Sequence, residues 1–418
     1  VEFVKIEDVY FAKGILAGSS RYLGFILPAS GGVSLIDLGD ATMLENQVRR
    51  ALQHIKVSME SRDLKVHRKT DGMSSNQEDV QSLRDLYQRV WAPLQKALGS
   101  ADKVVISPDG LLNLVPFAAL VDDKGRALVE SYRLSYVSSG RELVGLEGAP
   151  VKPENDLLLV ANPAFDGAVQ KSNSPETPLR SRDFQGDFSP LPGTEREAKE
   201  IPPLVKGQGG RQLVLVGRSA TESMVRTTRS PRILHLATHG FFLQDEEFVL
   251  GEGTRDLKVT KSAMKAPPKQ QRHENPLIRS GLAFAGANNA SEIAEGDDGI
   301  LTALEITGMD LFGTELVVLS ACNTGVGEIK TGEGVFGLRR AFALAGAKNL
   351  LMSLWPVSDE ITANQMKAFY RNLRTLPPAD ALRQAQLDTI KELKAEFGTA
   401  SPALWAPFIL QGGQAFGQ

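Results

Sequence analysis

Unbroken runs of apolar residues recur along the chain and predict strands that are buried on both faces. Two examples are residues 156–161, which read DLLLVA, and residues 316–319, which read LVVL. Between such runs, apolar residues recur at helical spacing, as in residues 41–55. The predicted strands are residues 22–27, 33–38, 103–106, 132–137, 156–161, 212–216, 232–238, 316–319, 349–355 and 408–411. The predicted helices are residues 41–55, 80–98, 194–201, 221–228, 301–306, 334–344, 362–373 and 379–397.

Strands that alternate with helices in this way predict βαβ units and a mostly parallel sheet with right-handed crossovers and flanking helices. The alternation occurs in two sets, divided near residues 145–155. We therefore predict an α/β fold with two subdomains, residues 1–150 and residues 151–418. Three polar stretches predict loops, and these are residues 57–78 (mobile), 171–192 (Ser/Pro-rich and flexible) and 244–280 (a long solvated excursion).

Composition and charge narrow the functional classes. Of 418 residues, 42% are hydrophobic and 23% are charged, which is typical of a soluble globular protein. The net charge of −3 gives no electrostatic reason to bind nucleic acid or an anionic membrane, and the basic run at 255–279 lacks interleaved aromatic residues. No stretch reaches the roughly 18 apolar residues of a membrane span. The single cysteine rules out an intramolecular disulfide and fits a reducing compartment, so we expect a cytoplasmic protein.

The only cysteine, Cys322, follows one of the buried runs. The stretch reads ELVVLSACNTGVG, so Cys322 is expected just past the carboxyl end of a central strand, where open α/β sheets collect their reactive groups. A lone cysteine is most often an inert thiol that packs as a small hydrophobic residue. The small residues before Cys322 and the Asn-Thr-Gly turn after it favour a reactive position instead.

A second run, RILHLATHG, places His239 at the exit of its own strand. If the two strands are parallel neighbours, the imidazole and the thiol lie within reach of each other at one edge of the sheet. A cysteine nucleophile with a histidine base is then the expected chemistry. The backbone N–H groups of Gly240 and Cys322 are the candidates for an oxyanion hole.

Metal and phosphate sites have weaker support from the residues. His235 precedes His239 by four residues, but HLATH lacks the glutamate of the HExxH zinc motif, and we expect His235 to be a hydrogen-bonded core residue. Residues 327–332 have the GxxxxG spacing of a phosphate loop, yet Glu333 follows where the motif needs a lysine. We therefore predict no cofactor, no nucleotide site and no metal.

Four segments, HLATHGFF, LVVLSACNTG, GVFGLRRAFALAGA and LWPVSDE, together resemble the CHAT family of caspase-like and separase-like cysteine proteases. The segments SPDGLLNLVPFAAL and YRLSYVSSGREL resemble the lead-in region of that family, so the likeness covers nearly the whole chain. The resemblance implies a caspase-like fold in which residues 1–150 are a pseudo-protease subdomain and residues 151–418 the active one. It also implies catalytic roles for Cys322 and His239.

The LWPVSDE block is similar to a separase segment whose acidic residue pairs with an arginine before the scissile bond. The resemblance implies that Asp359, with Glu360 as a fallback and Trp355 beside them, lines a pocket for a basic residue, preferably Arg. The plainer interpretation is that Ser358 or Asp359 caps a helix that starts near residue 362. The two interpretations are compatible.

The predicted function is cleavage of a specific protein after a basic residue by a Cys322–His239 dyad. Two alternatives stay open, namely a catalytically silent scaffold or sensor module that keeps the fold, and another acyl transfer, such as transpeptidation, at the same dyad. The resemblance implies bacterial signalling or defence, with a protein substrate encoded nearby. Because the sequence begins at Val1 rather than Met, we also expect a longer protein whose sensor or helical-repeat region precedes this chain.

Overall fold

The computed structural model describes residues 1–7, 19–63, 72–144, 151–167, 187–205, 210–243, 275–292, 297–320, 333–355 and 359–413. Its strands are β1 (Glu2–Glu7), β2 (Ser20–Ile26), β3 (Ser34–Asp40), β4 (Lys103–Ile106), β5 (Arg133–Tyr136), β6 (Asn155–Pro163), β7 (Arg211–Gly217), β8 (Ile233–Ala237), β9 (Gly240–Phe242), β10 (Ser280–Ala283), β11 (Ile300–Thr302), β12 (Leu316–Leu319), β13 (Leu350–Ser353) and β14 (Phe408–Gln411). Its helices are α1 (Ala41–Asp63), α2 (Gly72–Val90), α3 (Gln95–Leu98), α4 (Leu128–Ser131), α5 (Thr194–Glu200), α6 (Glu222–Arg226), α7 (Ala303–Ile306), α8 (Glu333–Leu344), α9 (Asp359–Leu373), α10 (Pro378–Phe397) and α11 (Pro402–Trp405). None of the helices in these ranges is long and apolar enough to cross a membrane.

Eight strands form the central sheet in the order β4-β5-β14-β13-β12-β8-β6-β7. Among these described strands, six of the seven pairings are parallel, and the pairing of β13 with β14 is antiparallel. The prediction of a mostly parallel α/β sheet with flanking helices is therefore confirmed. The strands β8, β12 and β13 lie in the middle of the sheet, and every residue in them is buried, as their mainly apolar sequences predict.

Alternate residues of each central strand pack against different layers, because successive side chains of a strand point to opposite faces. In β8, Leu236 packs in the core that contains Phe342 of α8. Ile233, an odd number of residues from Leu236, points to the opposite face and packs in the core that contains Phe369 of α9. The central sheet is thus covered on both faces, with α9 and α10 forming one of the two layers.

The sequence of α10 accounts for where this helix begins, where it ends and which of its faces is buried. It begins at Pro378, where a missing N–H costs nothing because the first helical N–H groups have no partner within the helix. It ends at Gly398, whose φ of +77° is the left-handed conformation that closes many helices. Its buried residues recur at helical spacing and are Ala379, Ala381, Leu382, Ala385, Gln386, Thr389, Ile390 and Leu393.

The helices α1 and α2 replace most of the mobile loop predicted at residues 57–78, and that prediction is wrong. The first part of the stretch belongs to α1 and the last part to α2, while the residues between them lie outside the described ranges. Ser58 Oγ donates a 2.7 Å hydrogen bond to Asp79 Oδ2, and both side chains are buried. A polar residue such as Ser58 can thus be buried in a contact between two helices, which a loop-like composition does not reveal.

The sheet formed by β9, β10 and β11, which we call the small sheet, was not predicted. It contains three short antiparallel strands in the order β11-β10-β9. Because β11 takes up residues 300–302, the helix predicted at 301–306 begins only at Ala303. The strand β10 starts at the end of the excursion predicted at 244–280, of which residues 244–274 lie outside the described ranges. These strands read GFF, SGLA and ILT, and they lack the unbroken apolar run that identified the short strands of the central sheet.

Strands from both predicted subdomains meet in the central sheet. The strands β4 and β5 pair with each other, and β5 pairs with β14 near the end of the chain. The antiparallel sheet β1-β2-β3, which contains the predicted hairpin, reaches β4 through a 2.8 Å hydrogen bond from Phe3 N to Ser107 O. The assignment of residues 1–150 as a pseudo-protease subdomain stays a prediction.

A buried arginine joins the front part of the chain to α8. Arg339 is 2% exposed, and its guanidinium donates to Asn113 Oδ1 at 3.3 Å and to Asn113 O at 3.0 Å. Its Nε lies 3.4 Å from the sulfur of Met352 in β13. Burial lowers the pKa of Arg339 to about 10, so the guanidinium stays charged at neutral pH. A single side chain of α8 thus bonds to Asn113 in the 110–114 turn and to Met352 in the central sheet.

We predict that Arg339→Ala lowers the free energy of unfolding by about 3 kcal/mol, because it empties buried volume and removes two donors from Asn113. The adjacent Arg340 is exposed and serves as a matched control. Arg340→Ala should change the same quantity by less than about 0.5 kcal/mol. Urea unfolding followed by tryptophan fluorescence measures both. Equal losses in the two variants would contradict the contacts assigned to Arg339.

Candidate active site

The strands β7, β6, β8, β12 and β13 are parallel neighbours, so their carboxyl ends lie along one edge of the central sheet. The condition set by the sequence, that the histidine and cysteine strands are adjacent and parallel, is met. Leu319 pairs with Leu236, and Ser320 N donates to Leu236 O at 3.2 Å. His239 comes three residues after Leu236, and Cys322 comes three residues after Leu319. Cys322 itself lies outside the described ranges.

The imidazole of His239 is almost completely buried, with 4% exposure. The ring of Phe188 stacks on it at a centroid distance of 5.5 Å and an interplanar angle of 24°. The ring of Phe165 lies 5.1 Å away at 44°. The Nε2 atom of His239 lies 2.8 Å from the carbonyl oxygen of Ser189. Two aromatic rings and one backbone carbonyl therefore fix the orientation of the imidazole.

The contact with Ser189 also fixes which nitrogen of His239 carries the proton. A carbonyl oxygen can only accept a hydrogen bond, so Nε2 must be the donor. In the neutral imidazole, Nδ1 then holds the lone pair. The structure thus presents His239 in the tautomer whose Nδ1 can take up a proton.

The small sheet sets the direction of the Gly240 N–H. Ala283 N donates to His239 O at 2.9 Å, which makes these two residues a hydrogen-bonded pair. Leu282 lies opposite Gly240, one step along the ladder. Hydrogen-bonded and non-hydrogen-bonded pairs alternate in antiparallel ladders, so the Gly240 N–H points away from β10. Because β9 is the edge strand of the small sheet, this N–H is directed away from that sheet.

His235 is a hydrogen-bonded core residue, and this prediction is confirmed. Its side chain is fully buried, with Nδ1 2.9 Å from Tyr370 Oη and Nε2 3.0 Å from Glu197 Oε2. Burial, with a further contribution from Glu197, raises the pKa of Tyr370 well above its usual value, so its hydroxyl keeps its proton. The hydroxyl therefore donates to Nδ1, and Nε2 donates to the carboxylate. His235 thus joins β8 to α5 and α9.

The residues proposed for substrate binding follow β13 at the same edge. Trp355 is 7% exposed, and its indole Nε1 donates to Ala403 O at 2.9 Å, so the ring belongs to the core. The helix α9 begins at Asp359 rather than near residue 362, which puts Asp359 and Glu360 in its first turn. Glu360 is exposed, while the side chain of Asp359 lies outside the described part of the structure.

A model of the CHAT domain family matches residues 80–413. The chain belongs to the CHAT domain family. The resemblance inferred from the histidine, cysteine and LWPVSDE segments is thereby confirmed. The matched range contains the histidine and cysteine strands, β8 and β12, and their parallel neighbours β6 and β13.

This CHAT domain is similar to two much longer proteins. Tetratricopeptide repeat protein 28 of Homo sapiens is 26% identical over 342 residues, which are 79% of this chain and 13% of that protein. The protein of the same name from Mus musculus is 27% identical over 348 residues, with the same shares. The chain therefore spans about 13% of the length of these curated relatives.

Two solved structures are also similar to it. One is separase in the Saccharomyces cerevisiae separase–securin complex, with a TM-score of 0.41 and 10% identity over 93% of this chain and 21% of that chain. The other is the Arg-specific cysteine proteinase gingipain R, with a TM-score of 0.41 and 8% identity over 82% of this chain and 68% of that chain.

The residues that cover His239 were missed in the sequence. Phe165 follows the end of β6 by two residues, so the rule that reactive groups follow strand ends could have drawn attention to it. Phe188 and Ser189 lie in the stretch 171–192 that was predicted to be flexible, yet its described end packs against the imidazole. No local sequence pattern identifies Phe188 and Ser189 as ordered, because the residue they contact, His239, is distant in sequence.

Beside β11, this CHAT domain holds a cluster of acidic side chains around one arginine, namely Glu222, Asp297, Asp298, Glu305 and Arg226. Arg226 lies 3.0 Å from a carboxylate oxygen of Asp297 and 3.8 Å from one of Glu222. Within the described ranges, no group of three or more His, Cys, Asp or Glu residues could hold a metal ion. Burial raises the pKa of Glu222 to about 9, and the neighbouring carboxylates add to the rise.

We predict that Glu222→Gln stabilises the domain increasingly as the pH rises. Below about pH 4.5, the usual pKa of a glutamate, the carboxyl is protonated in both the folded and the unfolded chain. Between that pH and about 9, the unfolded chain ionises while the folded one stays protonated, so the wild type progressively loses stability. The difference in melting temperature should therefore grow from about pH 5 to about pH 9.

Glu392→Gln, at an exposed position on α10, is the control for this pH series and should show no such growth. A difference for Glu222→Gln that stays flat or shrinks with rising pH would contradict a neutral carboxyl in the folded domain.

Proposed function

We propose that this CHAT domain is a cysteine endopeptidase in which Cys322 is the nucleophile and His239 is its general base. The parallel register of β8 and β12 carries the proposal, because it gives the two residues equivalent places past the paired Leu236 and Leu319. Neighbouring strands of a sheet lie about 4.8 Å apart. Residues at equivalent places beyond two such strands are therefore well placed to exchange a proton.

The tautomer of His239 suits this role. With the Nε2 proton held by the Ser189 carbonyl, Nδ1 accepts the thiol proton of Cys322. The thiolate attacks the carbonyl carbon of the scissile amide, and the resulting oxyanion binds the N–H groups of Gly240 and Cys322. Collapse of this intermediate expels the amine with the proton from His239 and leaves an acyl group on the sulfur. Water, deprotonated by His239, then hydrolyses the thioester.

Specificity for a basic residue is assigned to Asp359, with Glu360 as the fallback and Trp355 supporting the pocket from the core. The support is position, because α9 begins at Asp359 soon after β13 ends and at the same sheet edge as His239. A carboxylate there favours Arg over Lys, because the planar guanidinium makes two parallel hydrogen bonds with one carboxylate.

The substrate is proposed to be a specific protein, encoded nearby and cleaved in the cytoplasm during signalling or defence. The two relatives carry the words tetratricopeptide repeat in their name and are far longer than this domain. Their length and name support a helical-repeat or sensor region of the same polypeptide as the partner that regulates the protease.

We predict that Cys322→Ala abolishes peptide cleavage and that His239→Ala reduces it by about 10²- to 10⁴-fold, the usual contribution of a general base. His235→Ala should instead lower the free energy of unfolding by about 3 kcal/mol, because Glu197 then keeps a buried charge without this donor. Turnover of a peptide library and thermal melting are measured on the same samples. Wild-type turnover by Cys322→Ala, or the opposite pattern for the two histidines, would contradict the proposed dyad.

We predict that Asp359→Ala slows the cleavage of Arg substrates at least about 100-fold, because a bound guanidinium would lose its buried partner. Matched peptides with Arg, Lys, Asp, Leu or Gln before the scissile bond are compared on wild type, Asp359→Ala and Glu360→Ala. The wild type should prefer Arg over Lys. If only Glu360→Ala loses the preference, Glu360 is the specificity residue, and a wild-type preference for Asp would overturn the assignment of a basic pocket.

A further inference from the structure

We propose that Asn162 and Asn288 are positioning residues for His239, and that they act by holding the chain segment 187–191 whose Ser189 carbonyl binds the imidazole. We call the two residues the asparagine clamp. The proposal rests on the proposed function, since it assigns His239 the role of general base. The contacts recorded for both asparagines lead to the 187–191 segment and its neighbours, so both act through His239.

Asn288 holds Phe188, the residue just before Ser189. Phe188 N donates to Asn288 Oδ1 at 2.8 Å, and Asn288 Nδ2 donates to Phe188 O at 3.1 Å. One amide side chain thus satisfies both backbone groups of Phe188, as a neighbouring strand would. Asn288 Nδ2 also donates to Asp166 Oδ1 at 2.6 Å, and Asn288 N donates to Phe165 O at 3.1 Å. Asn288 therefore ties together the two phenylalanines that contact the imidazole.

Asn162 holds the other side of the segment. Its Oδ1 accepts from Leu191 N at 2.8 Å, and its Nδ2 donates to Glu195 Oε1 at 3.0 Å. Its backbone N donates to Thr194 Oγ1 at 2.8 Å, and that hydroxyl donates to Leu191 O at 2.8 Å. The amide thus connects the end of β6 to the segment that leads into α5.

The backbone of Asn162 is shaped for this contact. Its φ is +41°, in the left-handed region that few residues other than glycine, asparagine and aspartate adopt. The pairing of β6 with β7 shifts register at this residue, which is the irregularity that takes it out of the ladder. An asparagine is thus used where a strained backbone turns a side chain toward the 187–191 segment.

The clamp matters because Ser189 itself belongs to no strand or helix in the described ranges, so side chains from neighbouring elements hold its backbone in place. The carbonyl of Ser189 selects the tautomer with the proton on Nε2 of His239. If the segment shifts, the proton can move to Nδ1, the atom that must accept the thiol proton. A displacement near 1 Å is enough to cost a well-oriented reaction about 100-fold.

The test uses variants that break the clamp on each side. Asn288→Ala removes both bonds to Phe188. Asn162→Gly removes the amide and keeps the left-handed backbone accessible. The matched control is Asn289→Ala, because Asn289 Nδ2 donates to Gly167 O at 3.2 Å in the same turn and makes no bond to the 187–191 segment that the structure records.

Two readouts are taken on the full chain, together with melting to confirm folding. Long-range ¹H–¹⁵N spectra of histidine-labelled protein, with the His239 signal assigned by its loss in His239→Ala, report the tautomer without any need for activity. Peptide cleavage gives kcat and KM. We expect a single Nε2-protonated tautomer in the wild type and in Asn289→Ala. In Asn288→Ala and Asn162→Gly we expect a tautomer mixture, a fall in kcat of about 10- to 100-fold and a KM within about twofold of the wild type.

Each outcome decides the matter. If Asn288→Ala and Asn162→Gly keep the single tautomer and the wild-type kcat, or lose no more than Asn289→Ala, the clamp is refuted. If one of the two fails to fold, the other carries the same comparison, because each variant breaks the clamp on one side of Ser189. If the tautomer changes as expected while the wild type cleaves no peptide, the clamp stands and the proposed protease function fails.

Discussion

The parallel pairing of β8 with β12 is the contact on which the rest of the site depends. A shift of one residue would turn every side chain of β8 to the other face of the sheet. His235 opposes such a shift, because its imidazole bonds to Glu197 and Tyr370 on one face and would meet an apolar core on the other. The same histidine that resembled a zinc ligand in the sequence therefore fixes the register that carries His239 to the strand end.

The elements around the site are held from several sides of the molecule. Arg339 joins α8, which follows the cysteine segment, to Asn113 in the front part of the chain. Thr238 donates to Ala283 O, which joins the exit of β8 to the small sheet. Because helices cover both faces of the central sheet, reactive groups are expected at the ends of its strands. The loops and helices that hold these groups in place are distant in sequence.

The sequence predicted those elements whose residues form a local pattern of apolar and turn-forming positions. The strands β8, β12 and β13 were predictable because they are short, mainly apolar and followed by small or turn-forming residues. The polar stretch at 57–78 was misleading because a polar residue such as Ser58 can be buried between helices, which composition alone does not reveal. The contact of Ser189 with His239 and the joining of β5 to β14 leave no local signal, because they bring distant residues together. The roles of Cys322 and Asp359 stay predictions.

The central claim, that His239 activates Cys322, is tested most directly by the rate at which iodoacetamide alkylates the protein as a function of pH, followed by intact mass. Cys322 is the only cysteine, so every adduct reports on it. The account predicts rapid alkylation that persists well below the usual thiol pKa of about 8.5, and an ordinary thiol profile in folded His239→Ala. Identical profiles in the wild type and in His239→Ala would contradict it.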